Sequence, residues 1–393
     1  VKKLNRDIIF NSEELSRNLA QKSVRGGMAT MTAQVIQFVL RTAGIVVLAR
    51  LLTPNDYGLI GMVAVVVGFA QMFKDAGLSM ATVQKDRISH EQISTLFWIN
   101  ILISAFLGLC VLTASPLVAR FYGRSELTGV TAALSVSFII SGLMIQHQAL
   151  LKRHMQFSTL AIIQIVSQII TLGVTIVLAL FGWRYWALVG GTITTALAST
   201  LMTFFFCPWI PGRMKKGSGV RDMLKFGGHL TGFNFLNYFS RNLDNILIGK
   251  FIGADALGLY AKAYQLFMMP ISQIRAPMVN VAMPALSALK EQPERYIKYY
   301  QRILDIMASL TIPLTLCCVL EADFLIRLVL GPQWLGAVPV FRILAIAGLF
   351  QSISGTAGLV QLSLGFSDRY FKWGIVGAFL FVVAFVIGLP FGI

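Results

Sequence analysis

The chain has 393 residues, of which 56% are hydrophobic and only 13% charged, with a formal net charge of +16. An ordinary soluble domain carries roughly 25% charged residues and could not hide so much apolar surface while covering itself with polar groups. A soluble globular protein is therefore excluded. The apolar runs reach about twenty residues with no period-two alternation, which points to an all-α integral membrane protein and away from a β-barrel.

Residues 1–22 are basic and polar and read as a cytoplasmic or interfacial segment. Lys2, Lys3 and Arg6 lead into polar sequence, not into the apolar core and small-residue cleavage site of a signal peptide. Apolar helices follow over about 24–50, 57–83, 92–114 (stopped near Pro116), 128–148, 157–180 and 185–207, with Pro54-Asn55-Asp56 and Gly182-Trp183-Arg184 as turns. These form an N-terminal six-helix bundle, 23–207. Residues 208–222 form a cytoplasmic linker rich in proline, glycine and bases. Helices over about 223–251, 257–286, 297–320, 337–362 and 371–389 make a C-terminal bundle, 223–393, with Pro270, Pro277 and Pro284 spaced along one face of the second of them. Six helices in one half and five in the other lead to the expectation that C-terminal helices are missing and that this bundle is incomplete.

The halves repeat at a constant offset. R-L-L-T-P-N-D-Y-G-L-I, from Arg50 to Ile60, is answered two hundred residues on by K-F-I-G-A-D-A-L-G-L-Y, from Lys250 to Tyr260. Arg41 matches Arg241 and Gly27 matches Gly227 in the same register. The repeated segments close interhelical turns, and Pro54, Gly58, Gly258, Pro270 and Pro277 are assigned a structural or gating role, glycine being the residue that lets a backbone come close.

The bases set an orientation. Placed on alternate sides of the eleven helices, 21 of the 33 Lys and Arg residues fall on the N-terminal side and 6 on the other. The positive-inside rule then puts the N-terminus in the cytoplasm, and much of the charge is explained by topology and anionic lipid. Six bases remain inside helices: Arg41, Lys74, Arg241, Lys262, Arg275 and Arg342. A charge at mid-bilayer costs at least about 2.5–3.5 kcal/mol and needs water, an acid or a ligand. Gln34, Gln37 and Arg41 form a polar stripe on the first helix, and Asn234, Tyr238 and Arg241 repeat it on the seventh. The acids inside helices, Asp75 and Asp244 among them, are too few to neutralise the bases. The reading is an internal cavity for an anion such as phosphate or pyrophosphate, lined by Arg41, Arg241, Lys262, Lys74, Arg275, Gln34, Gln37, Asn234 and Tyr238. Asp244 either pairs with Arg241 or binds a coupling proton or sodium ion, and Asp75 is a second candidate for the ion. Symmetric halves around such a cavity fit alternating access.

Nothing reads as an enzyme: no H-E-x-x-H, G-x-S-x-G or Walker A motif occurs. Cys110, Cys207, Cys317 and Cys318 lie in apolar runs without metal-ligand spacing and read as buried small hydrophobes. No metal and no resident cofactor is expected, and no nucleic acid partner.

Three segments together carry a resemblance. Ala49–Gly61 (A-R-L-L-T-P-N-D-Y-G-L-I-G), Phe73–Gln84 (F-K-D-A-G-L-S-M-A-T-V-Q) and Arg241–Tyr260 (R-N-L-D-N-I-L-I-G-K-F-I-G-A-D-A-L-G-L-Y) resemble motifs of the bacterial polysaccharide flippases of lipopolysaccharide and exopolysaccharide pathways, the colanic-acid exporters in particular. The resemblance implies the fold of the multidrug and toxic-compound extruders, two six-helix bundles in a V. It implies a protein of the bacterial inner membrane that turns an undecaprenyl-diphosphate-linked oligosaccharide from the cytoplasmic to the periplasmic leaflet, with membrane lipids and the polysaccharide polymerase and export machinery as partners. Arg41, Arg241 and Lys262 are then the bases that attract the diphosphate. An ion-coupled exporter of another substrate on the same fold, or a scaffold that binds lipid-linked precursors without moving them, are the competing readings.

Overall fold

The computed structural model describes residues 19–75, 77–85, 88–215, 238, 242–354 and 356–388. The interfacial segment expected up to residue 18, the linker beyond Lys215 and most of the helix expected over 223–251 lie outside the described residues, as do the site candidates Asn234 and Arg241. The chain divides into two compact units, one from Val1–Leu52 and Met62–Asn242, the other from Thr53–Gly61 and Leu243–Ile393.

The first unit holds α1 (Leu19–Leu51), most of α2 (Pro54–Lys74), α3 (Leu78–Gln84), α4 (His90–Tyr122), α5 (Glu126–Arg153), α6 (Phe157–Leu180) and α7 (Tyr185–Phe206). The single helix expected over 57–83 is two. Gly77 takes a left-handed conformation (φ 69°), and Asp75 caps the new helix by accepting from the Ser79 backbone N–H at 2.9 Å and from the Ser79 hydroxyl. The third helix does not stop near Pro116. α4 runs through that proline to Tyr122 and ends at Gly123 (φ 69°), since a membrane helix tolerates a proline whose freed carbonyl finds another partner. Its start is a capping box: Gln92 N–H donates to Ser89 Oγ (3.2 Å) and Ser89 N–H to Gln92 Oε1 (3.1 Å).

α4 and α5 pack as an antiparallel pair on small residues. A Cβ added at Gly108 would stand 3.1 Å from the Ser135 carbonyl, and one at Gly142 would press on Ser104. Arg153, at the end of α5, donates to the Thr82, Val83 and Lys85 carbonyls and so satisfies the C-terminus of α3. α1 packs on α6, and the α7 segment continues into a strap, 207–215, laid along the first turns of α4 by Trp98 Nε1–H to the Gly212 carbonyl (2.8 Å) and Gly212 N–H to Ser94 Oγ (2.9 Å).

The larger part of the second unit opens with helical residues 243–247, a π-helical turn at Ile248–Ile252, and Gly253 at φ 118°. α8 (Ala254–Ala288) then runs unbroken through Pro270, Pro277 and Pro284. After it come α9 (Pro293–Leu320), α10 (Ala322–Val329), a 3-10 turn (Pro332–Ala337), α11 (Val338–Ser354), α12 (Ala357–Ser363) and α13 (Ser367–Gly388). α8 packs against α9, α11 and α12, with Trp334, Phe341, Phe267 and Leu257 closed from solvent.

Eight stretches among the described residues are long and apolar enough to cross a membrane: Thr30–Leu51, Pro54–Gln84, His90–Tyr122, Glu126–Arg153, Phe157–Leu180, Tyr185–Phe206, Pro293–Leu320 and Pro332–Phe350. Six of these lie before residue 207 and two after residue 292. The large side chains they leave outside, such as Leu102, Phe106, Leu117, Leu201 and Leu316, belong against lipid tails. Cys110 and Cys317 share that outer surface and are exposed, contrary to the expectation for them, while Cys207 and Cys318 are buried. The molecule is an all-α, multi-span membrane protein.

Candidate functional site

The two repeated segments meet inside the second unit. Thr53 caps α2: its N–H and its hydroxyl both donate to Asp56 Oδ2 (2.9 and 2.7 Å), and Pro54 starts the helix, where its missing N–H costs nothing. The first turn of α2 then crosses the first turn of α8. A Cβ on Gly58 would collide with the Ala254 carbonyl, and a Cβ on Gly258 would collide with the Pro54 carbonyl. These are the same two contacts with the repeats exchanged. Asn55 Nδ2 donates to Asp255 Oδ2 at 2.9 Å, again two hundred residues apart. Each helix lacks a side chain where the other's first carbonyl comes through, so the backbones touch, and the contact is a local two-fold.

Lys262 lies two turns beyond this crossing. It is 7% exposed. Its ammonium stands 3.8 Å from the centre of the Tyr57 ring and donates to Gln265 Oε1 at 2.9 Å. Among the described residues it has no carboxylate partner. Tyr57 is held from its other side by Trp334, edge to face at 5.5 Å. Asp244 is engaged elsewhere: the Tyr260 hydroxyl donates to Oδ2 (2.7 Å) and the Asn245 N–H to Oδ1 (2.7 Å). Arg275 is half-buried along α8, with Pro270 half-buried and Pro277 exposed. Arg342, counted among the bases inside helices, is paired with Asp323 at 2.6 Å and both are exposed.

In the first unit the stripe on α1 is divided. Gln37 turns to α6, donating to Gln164 Oε1 at 3.0 Å while Gln168 donates to the Gln37 carbonyl at 3.3 Å; Gln34 and Arg41 are exposed. Lys74, half-buried at the end of α2, donates to Ser141 Oγ on α5 at 3.1 Å. Tyr238 donates to the Val65 carbonyl at 2.8 Å, and its ring fills the space left by Gly68. Asp75 is committed to Ser79.

The structure thus groups Lys262, Gly58, Gly258 and Pro54 in the second unit, and adds Tyr57, Gln265, Asn55 and Asp255, which were absent from the site read off the sequence. The signal for them was present. Once the two segments are taken as repeats related by exchange, the residues flanking each glycine must face one another.

The frame is polytopic and helical, and solved structures share its fold. It is similar to the lipid II flippase MurJ in an inward closed conformation, with TM-score 0.71 at 14% identity over 94% of this chain and 82% of that one. It is also similar to an inward-facing multidrug resistance MATE family transporter of the MOP superfamily, with TM-score 0.59 at 14% identity over 93% and 97%. At that identity the likeness shows a shared fold. The chain belongs to the family described as polysaccharide biosynthesis protein, which matches residues 47–339. It is 31% identical over 351 residues to the teichuronic acid biosynthesis protein TuaB of Bacillus subtilis (strain 168), covering 88% of this chain and 71% of that one. It is 25% identical to the lipopolysaccharide biosynthesis protein WzxC of Escherichia coli (strain K12), covering 94% and 76%. Membership of that family sets it among proteins of polysaccharide biosynthesis.

Proposed function

We propose that the protein flips an undecaprenyl-diphosphate-linked oligosaccharide from the cytoplasmic to the periplasmic leaflet of the bacterial inner membrane by alternating access, with its N-terminus in the cytoplasm. The observation that carries this reading is Lys262, a base buried among apolar and aromatic groups with a ring and an amide for neighbours and no acid among the described residues. Burying an unpaired ammonium is costly, and a diphosphate is the kind of group that removes the cost. Arg41, exposed on α1, Lys74 on its serine, Arg241 and Arg275 would serve the same anion. Gln34, Gln37, Asn234 and Tyr238 would meet sugars through hydrogen bonds that tolerate more than one epimer.

The names of the relatives support a glycan-containing cargo, since TuaB and WzxC are described by teichuronic acid and lipopolysaccharide biosynthesis. A coupling proton or sodium ion would act at Asp244 or Asp75; membrane lipids and a polysaccharide polymerase or export assembly are the natural partners. The crossing at Gly58 and Gly258 would be part of the gate, opening once in each cycle.

The test uses the full-length protein in liposomes with a fluorescent undecaprenyl-diphosphate oligosaccharide in both leaflets, followed by its accessibility to a membrane-impermeant quencher. Wild type should equilibrate the label rapidly, and Lys262→Ala should slow this by at least about tenfold, the worth of one charged contact of about 1.4 kcal/mol or more. Binding without movement under either a proton or a sodium gradient would make the protein a precursor-binding scaffold instead.

A further inference from the structure

The packed interface of α4 and α5 contains a group of polar side chains that transport does not explain. Asn100, Ser104 and Gln146 are each fully enclosed, at 0% exposure. Both ends of the Asn100 amide, the Ser104 hydroxyl and one end of the Gln146 amide make no hydrogen bond among the described residues. The helix register brings them to one level. A Cβ on Gly142 would lie 2.6 Å from Ser104 Cβ and 3.6 Å from the Asn100 carbonyl, and a Cβ on Gly108 would lie 3.1 Å from the Ser135 carbonyl. The helices run antiparallel, so one turn back on α4 from Ser104, at Asn100, faces one turn on along α5 from Gly142, at Gln146.

The orientation of the Gln146 amide does not remove the difficulty. Thr82 Oγ1 stands 2.9 Å from Gln146 Oε1 and 3.0 Å from the Leu78 carbonyl, and a hydroxyl has one proton to give. If the proton goes to Gln146, its NH2 is left over. If it goes to Leu78, the amide turns over, its NH2 donates to Thr82, and its carbonyl oxygen is left over. Either way one polar end of Gln146 stays unsatisfied, beside an Asn and a Ser in the same condition. Three such groups along one helix contact call for a partner that the protein does not supply.

We propose that Asn100, Ser104 and Gln146 form a binding site for internal water, a hydrated joint between α4 and α5 in the centre of the first unit. The chemistry of the groups selects the ligand. The groups together offer amide N–H donors, a hydroxyl that can donate or accept, and the Asn100 carbonyl oxygen as an acceptor, a mixture that an ion of one sign does not satisfy. Water donates and accepts at once, and a buried water usually holds about three hydrogen bonds of just this mixed kind. Gly108, Gly142 and the surrounding serines keep the helices close, and the three side chains are shut off from the outer surface. Water that can exchange partners makes this the contact where the two helices slide with least loss of bonding. The inference is independent of what the protein carries.

Two measurements decide it. The first is synchrotron hydroxyl-radical footprinting of the full-length protein with oxygen-18 water. Phe97 and Phe138, 5% and 1% exposed but one turn from the site, should be oxidised with label severalfold faster than Phe341, which is 1% exposed in the apolar core of the second unit. Equal protection of all three would overturn the proposal. The second is the thermal midpoint of Asn100→Leu, a change of nearly constant volume. With water bound, losing its partner should lower the midpoint by about 1–4 °C. In a dry interface the same change removes an unsatisfied amide and raises the midpoint, which would also overturn the proposal. The wild-type footprint stands even if the variant fails to fold.

Discussion

The side chain with most consequence is Lys262. Its ammonium sits against the face of Tyr57, and both the ring and the burial discriminate among replacements. Tyr57→Leu keeps the apolar volume but removes the ring's negative face, and should weaken binding of a water-soluble diphosphate-sugar headgroup by about threefold to fivefold, as befits a cation–π contact of about 0.5–1 kcal/mol. Tyr57→Phe should bind like wild type; isothermal titration compares them. Asp244 is the contrasting case. Its carboxylate is already satisfied by Tyr260 and Asn245. Asp244→Asn in the liposome assay should abolish the response to an imposed ion gradient while leaving downhill equilibration, if it carries the coupling ion. Equal loss of both would mark it as a structural partner of Tyr260. Neither neighbourhood was legible from the chain alone. The bases stood out because apolar helices seldom hold them, but a ring or hydroxyl partner leaves no trace in spacing. Arg342 shows the opposite failure: its acid, Asp323, lies on a separate short helix, so it was counted among the unneutralised bases.

At the scale of the element, the first turns of α2 and α8 depend on what is missing from them. Gly58→Ala and Gly258→Ala each place a methyl against a backbone carbonyl that no rotamer change can move. Each should destabilise by about 1–3 kcal/mol, the usual cost of overpacking, read as a lower melting midpoint. Thr53→Ala, which removes only the cap, should cost about 1 kcal/mol. The helices themselves were largely legible. Apolar runs bounded by Pro, Gly and charge gave Phe157–Leu180 to the residue. What failed were interruptions and continuations. Gly77 breaks a run that resumes its apolar pattern just past Lys74 and Asp75, and Pro116 fails to break one, because inside a membrane bundle the packing of neighbours outweighs local propensity.

At the scale of the whole molecule, the outer surface is the most easily tested. Cys110 and Cys317 are exposed on apolar helices and Cys207 and Cys318 are not. A lipid-soluble maleimide should label the first two in native membranes and reach the other two only after denaturation, which mass spectrometry of the peptides would reveal. The pairing of the two segments was readable because a motif recurs at fixed offset, and their crossing is where the pairing becomes physical. Its consequence concerns how the protein can be caught in the act. Asn55 and Asp255 occupy the same position of their repeats and touch each other. A cysteine at each, in an otherwise cysteine-free chain, makes a clasp that closes under oxidant only while the crossing is shut. The yield of cross-link, followed as cargo or ion is added, would then be a clock hand for the cycle.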